Sequence, residues 1–182
     1  MNDCACSTSG DSAVREEVCG LNIWTEQLKG LQLTVLERWI GRRDGAVTPN
    51  DLPEKADELS RWFEICATDP ERLDYLVLAY ETPVGLAGLR WHGKQEGTAE
   101  LYLLFGEVNY NLLRTATYAA LKMLDRAFLD LGFFCVTIRI KLSHDWFLDT
   151  LKQMGFSCTG KRDGFIHCSV EKNEYLHRKY LF

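Results

Sequence analysis

The residues able to do chemistry are scattered along the chain. Seven cysteines lie at Cys4, Cys6, Cys19, Cys66, Cys135, Cys158 and Cys168. Zinc sites space paired cysteines by two to four residues, whereas Ala5 alone separates Cys4 from Cys6 and no fourth ligand joins Cys19, so no metal is expected. The odd count and irregular spacing do not describe a disulfide framework. They suit free thiols in a reducing cytosol. Cys135 and Cys158, in strand-like settings, read as packing residues rather than nucleophiles. The candidate proton carriers are Glu100 in a β-rich run, Glu107 just beyond it, His92 between Trp91 and Gly93, and His144 between Ser143 and Asp145. A placed carboxylate or imidazole can take a proton from an incoming nucleophile. Taken alone, Glu100 is equally a solvated edge carboxylate, Glu107 a loop cap, His92 a turn residue and His144 an exposed loop histidine. Trp39, Trp62 and Phe63 could wall a pocket, but at helical spacing they read first as core.

The elements that must position these groups follow from periodicity. Leu31, Leu33 and Val35 alternate with polar Gln32 and Thr34, the period of a strand. Asp51 precedes Pro53, and Leu59, Trp62, Phe63 and Cys66 recur at helical spacing until Asp69-Pro70 ends the helix. Three short runs then read as a meander: Leu73 to Tyr80, Val84 to Trp91 and Thr98 to Phe105, with turns at Glu81-Thr82-Pro83 and His92 to Gly97. Leu113, Ala116, Ala120, Met123, Leu124, Ala127, Phe128 and Leu131 form the stripe of a long helix closed by Gly132. A strand follows from Phe133 to Ile140, with Phe134, Val136, Ile138 and Ile140 on one face. Trp146 to Met154 is a helix closed by Gly155, and strands near Phe156 to Gly160 and Phe165 to Val170 finish the pattern. The strand–helix–strand unit from Thr98 to Ile140 requires a parallel, right-handed crossover. The expected fold class is α/β (α+β): a mixed, mostly antiparallel sheet with one parallel strand pair and helices on both faces.

Composition narrows the function classes. The chain has 182 residues, 46% hydrophobic and 26% charged, with a net charge of −5. That is one globular domain's worth of chain, with an ordinary core. Residues 1–20, rich in Ser, Gly, Asp and Cys, read as a disordered tail, and 21–182 as a single domain. An acidic balance argues against nucleic acid or an anionic membrane as partner. No apolar run reaches the roughly 20 residues of a membrane helix, and the N-terminus lacks a signal-peptide core, so a cytoplasmic protein is expected.

Three stretches, in this order, resemble the GNAT acetyltransferase superfamily, and within it the ribosomal-protein and amino-sugar N-acetyltransferases. Tyr75-Leu-Val-Leu-Ala-Tyr80 followed by Pro83-Val-Gly-Leu-Ala-Gly88 resembles the family's hairpin with its P-x-G-x-x-G. Ala127-Phe-Leu-Asp-Leu-Gly132 resembles the end of its long helix, and Leu148-Asp-Thr-Leu-Lys-Gln-Met-Gly-Phe156 its L-x-x-L-x-x-x-G-F segment. The resemblance implies a single-domain acyltransferase that moves acetyl from acetyl-CoA to a primary amine by direct attack. The implied acceptor is a small molecule such as an amino sugar or amino acid derivative, and the implied assembly a monomer or homodimer. It places the thioester between splayed strands, along Leu103, Leu104 and Phe105, with His144 and Phe147 beside it. It assigns the pyrophosphate to the start of the long helix: Asn111, Leu112, Leu113, Arg114, Thr115 and Ala116. It suggests Glu100 as the base, and Trp39 and Trp62 as acceptor wall.

The sequence also departs from the family. The family's phosphate loop is glycine-rich, which lets backbone N–H groups approach the phosphates without a Cβ in the way. Here Tyr110 to Tyr118 contains no glycine, and Arg114 takes a glycine position. The loop is degenerate. The frequent asparagine after the fifth strand falls on His144. The tyrosine that protonates the departing thiolate falls on Leu151, with Tyr102, Tyr110 and Tyr118 as substitutes. The alternatives are an inactive GNAT-like module that binds acyl-CoA or regulates, and an enzyme using another acyl thioester.

Overall fold

Turn chemistry sets the middle of the sheet. Tyr80 and Glu81 both take positive φ, 49° and 68°, the conformation of a tight two-residue hairpin whose twist matches its strands. They join β3 (Arg72–Ala79) to β4 (Thr82–Arg90). The turn therefore lies one step before the expected Glu81-Thr82-Pro83, and Thr82 and Pro83 already belong to the strand. Pro83 offers no N–H to the ladder, and the register shifts beside it: Leu78 pairs Pro83 while Val77 pairs Gly85, leaving Val84 as a bulge.

The structure, a computed structural model, describes residues 16–18, 21–27, 33–40, 53, 56–93, 96–106 and 112–179. The remaining strands are β1 (Glu16–Val18), β2 (Leu21–Gln27), β5 (Thr98–Phe105), β6 (Cys135–Lys141), β7 (Ser157–Arg162) and β8 (Phe165–Glu171). The helices are α1 (Leu33–Ile40), α2 (Leu59–Thr68), α3 (Leu112–Asp125), α4 (Leu148–Gln153) and α5 (Lys172–Arg178). The eight described strands form one sheet in the order β1-β2-β3-β4-β5-β6-β8-β7. Every pair is antiparallel except β5 with β6, as the crossover through α3 requires. Most of the expected tail lies outside the described residues; its last part, Glu16–Val18, pairs with β2.

Three expectations are corrected. Leu33 to Val35 opens α1 and is not a strand: Leu36 and Trp39, three apart, carry the buried face. Leu113 is 46% exposed and leaves the α3 stripe, while Thr115 and Ala119 join the buried face. Phe134 precedes β6 and is 59% exposed, its ring covering Gly97, so β6 presents only Val136, Ile138 and Ile140 to the core. Beyond Asp125 the long helix continues as a π-helical turn, Arg126–Asp130, before Gly132 at φ 78° redirects the chain.

The sheet divides two apolar layers. Leu101, Leu103, Phe105, Val136 and Ile138 pack with Ala120, Met123, Phe128 and Leu151 on the α3–α4 side. Leu76, Leu86 and Leu104 pack with Leu36, Trp39, Leu59 and Trp62 on the α1–α2 side. Each fully buried side chain of this size contributes about 1.5–3 kcal/mol. Polar ties fix the ends. On α5, the Tyr175 hydroxyl donates to Asp125 Oδ1 at 2.9 Å, and the Lys179 ammonium reaches the same oxygen at 2.6 Å.

One buried thiol makes stability depend on alkaline pH. Burial, and a hydrogen bond with Cys158, push the Cys168 thiol up from 9.0 to about 12. The folded state therefore prefers the neutral thiol, and this contribution is complete below the unfolded value. It declines as pH rises from about 9 towards 12. Denaturant unfolding across that window should show falling stability, with a shallower slope in Cys168→Ala. Equal slopes would show that other groups govern the alkaline limb.

Candidate active site

The parallel pair opens into a wedge. β5 and β6 are in register from Thr98 opposite Cys135 to Leu101 opposite Ile138, and no further. Beyond that row, Tyr102 to Phe105 stay paired to β4, while Arg139 to Lys141 stay paired to β8. Each strand is held from its outer side, so their inner edges diverge. Backbone N–H and C=O groups along such edges can pair with the amides of an extended ligand. The strand–helix–strand order predicts the parallel pair, and the family resemblance its splay.

The expected ligand-side residues lie on β5, on the segment after β6 and at the start of α3. Leu103 and Phe105 face the α3 layer and Leu104 the α1–α2 layer, all buried. β6 leads into a 3-10 segment, Leu142–Phe147, kinked at His144 with φ −116° and ψ 31°. His144 is half-buried, its Nδ1 lying 3.1 Å from Ser143 Oγ, and Phe147 is buried. At the start of α3, Leu112 and Arg114 are half-buried, Leu113 is exposed, and Thr115 and Ala116 are buried. Asn111 and Glu107 lie outside the described residues. Leu151 is fully buried on α4, so an aliphatic chain fills the place where the resemblance sets a phenol.

Glu100 stands one residue before the last β5–β6 pair, on the α1–α2 face. Its Oε1 accepts from Arg139 Nε at 2.6 Å and its Oε2 from Arg90 Nη2 at 3.3 Å. The carboxylate is half-buried, 27% exposed, and spans three adjacent strands. Charge-assisted bonds of this kind orient a side chain firmly. Cys135 is not a nucleophile of this site. It opens β6 on the face it shares with Arg139, opposite Thr98 and short of the row where the wedge opens, and burial, then Glu171, pushes its thiol up. His92 is exposed in the β4–β5 connection, away from the wedge.

Comparison with solved structures shows the same architecture. The spermidine N-acetyltransferase of Vibrio cholerae in complex with CoA and spermine matches with a TM-score of 0.69 at 15% identity, over 85% of this chain and 98% of that one. Mutant forms of the spermidine/spermine N-acetyltransferase of that organism match with 0.72 at 15% identity, over 86% and 98%. Its complex with manganese ions matches with 0.67 at 16% identity, over 86% and 96%. The chain has the GNAT acetyltransferase fold. No family model matches the sequence, and no curated protein does. At such identities the likeness extends to the fold alone.

Within this fold, the residues missed in the sequence are those that hold Glu100. Arg90 and Arg139 share its face, but only strand register reveals that. Trp39 and Trp62 are both buried in the α1–α2 layer, at 2% and 5% exposure. Trp39 lies flat on Gly106, where a Cβ would come within 1.9 Å of the ring. Neither indole Nε1 has a hydrogen-bond partner among the described residues. The same holds for the Tyr102 hydroxyl, which sits over Gly88 on β4 under the Arg90 guanidinium, and is 2% exposed. A buried hydroxyl without a partner costs about 1–3 kcal/mol. Tyr102→Phe should therefore match or exceed wild-type stability in chemical denaturation. A loss above about 1 kcal/mol would mean that the hydroxyl is satisfied after all.

Proposed function

We propose that this protein is an N-acetyltransferase that moves the acetyl group of acetyl-CoA to the primary amine of a small cationic molecule. The observation that carries this reading is the wedge: two parallel strands, each retained by its outer neighbour, that part at Leu101 and Ile138. Their open edges suit the amides of the pantetheine arm. Leu103, Leu104, Phe105, His144 and Phe147 would line the arm, and Asn111 to Ala116, opening α3, would meet the pyrophosphate. The amine would enter from the α1–α2 side, past Trp39 and Trp62. Glu100, oriented by Arg90 and Arg139, would take the ammonium proton, through water, before the amine attacks the thioester carbonyl. The thiolate would then leave and the amide would form without a covalent enzyme intermediate. The structural neighbours are named for spermidine and spermine. Polyamines therefore join amino sugars and amino acid derivatives as candidate acceptors, and the net charge of −5 suits any cationic amine.

The second reading, an acyl-CoA-binding module without turnover, draws on Leu151, which offers the thiolate no proton. Two measurements separate the readings: calorimetry with acetyl-CoA, and thiol release across a panel of amines. Losing one or two N–H to phosphate bonds costs about 1.5–3 kcal/mol each. The glycine-free loop should therefore bind acetyl-CoA at roughly tens of micromolar or weaker. Binding with thiol release supports the enzyme, and binding without it supports the module. Absence of binding refutes both.

A further inference from the structure

Cys158 and Cys168 stand directly opposite each other on β7 and β8. Cys158 is exposed and Cys168 is 2% exposed. Directly opposed residues on antiparallel strands have Cα atoms about 4.5–5.5 Å apart, inside the range of about 4.4–6.8 Å that a disulfide spans. Strand register therefore already sets the backbone within bridging distance. The ladder shifts register immediately after Cys158, and Gly160 there has φ 157°. The Lys152 ammonium on α4 is the charged neighbour of both thiols. These cysteines belong to no part of the proposed acetyl transfer.

We propose that Cys158 and Cys168 are a modification site, closing into a reversible intramolecular disulfide when the protein meets a hydroperoxide. Cys158, the sulfur that solvent reaches, attacks the outer peroxide oxygen. An S–O bond forms and the O–O bond breaks, leaving a sulfenic acid and releasing alcohol, or water from hydrogen peroxide. Cys168 then attacks the Cys158 sulfur. The S–S bond forms, the S–O bond breaks, and hydroxide leaves as water with the Cys168 proton. Two thiols are oxidised and one peroxide is reduced. Burial keeps Cys168 out of reach of the oxidant, so it is not the first target; it acts as the resolving partner, giving up its proton to the departing hydroxide as the S–S bond forms. Cys168 also stands opposite Ile138, which stands opposite Leu101, so the disulfide would tie the outer end of the row at which the wedge opens.

The test uses the full chain and hydrogen peroxide. Titration under denaturing conditions should show the free-thiol count fall by two from seven, independently of protein concentration. Peptide mapping should find Cys158 joined to Cys168, and dithiothreitol should restore both. In Cys168→Ala, sulfenic acid on Cys158 should persist and be trapped by dimedone at about tenfold or greater yield than in wild type. Cys158→Ser, at an exposed position, covers the case in which the buried variant misfolds: it should lose no thiol pair. The proposal is overturned if wild-type Cys158 stops at sulfenic or sulfinic acid with Cys168 still alkylated after denaturation. It is equally overturned if Cys158 bonds another cysteine, or if neither thiol reacts.

Discussion

Glu100→Gln should lower acetyl transfer by about 10²–10⁴-fold, the usual effect of removing a positioned base. In activation free energy this is about 2.7–5.5 kcal/mol. Affinity for acetyl-CoA should stay nearly unchanged, because the open strand edges lie beyond Leu101. The structure adds a competing explanation that must be separated. Glu100 also accepts from Arg139 and Arg90. The amide of a glutamine can accept from one guanidinium but turns a donor towards the other. A rate loss could then come from displaced arginines. Arg139→Met, which disturbs the same cluster and keeps the carboxylate, is the control. If Glu100 is the base, Arg139→Met should keep most of the activity. In Glu100→Gln, part of the lost rate should return as pH approaches the pKa of the acceptor amine, where free amine no longer depends on a base. Equal losses in both variants, with flat pH profiles, would assign Glu100 a positioning role only.

That ambiguity reflects which parts of the site are legible in a sequence. The wedge parts beyond Leu101 and Ile138 through strand register, but its parallel pair depends on element order: a strand, a long helix and a strand force it. Period-2 alternation and the two helix-ending glycines therefore carry it. The Glu100 cluster depends on register instead. Arg90 and Arg139 lie 10 and 39 residues from Glu100 and meet it only because β4, β5 and β6 align as they do. Moving one strand by one residue would turn its side chains to the opposite face. Cys158 and Cys168 are hidden in the same way, by a bulge within β7. Short elements fail for another reason. The Leu31 to Val35 alternation covers too few residues to separate a period of 2 from one of 3.6, and the helical stripe becomes clear only with Leu36 and Trp39. α5 follows β8 without a loop and has no side-chain N-cap bond to announce it.

The largest expected effect on stability lies at the other end of the α1–α2 layer. Asp74→Ala should destabilise the fold by about 3 kcal/mol or more. Arg72 and Asp74, two apart on β3, face the same side and form a two-point pair: Nε to Oδ2 at 2.7 Å and Nη2 to Oδ1 at 2.9 Å. Their side chains are only 2% and 3% exposed, and the guanidinium also lies over the Trp62 ring at 5.3 Å. Breaking such a buried pair by removing one member costs about 3–5 kcal/mol. A cavity of about 260 Å³ beside the pair, lined by Phe63, Cys66 and Asp69, favours the low end, since water entering it can solvate the guanidinium. For a chain of this length about 3 kcal/mol corresponds to a Tm lower by roughly 6–12 °C. Replacing both partners, Arg72→Met with Asp74→Leu, removes both buried charges and should recover most of the loss, because a buried pair is worth little against apolar side chains of similar volume. A single variant costing under about 1 kcal/mol would mean that water already serves the pair. A double variant as unstable as the single would instead make the pair specific to this layer, where Arg72 braces Trp62 and with it α2.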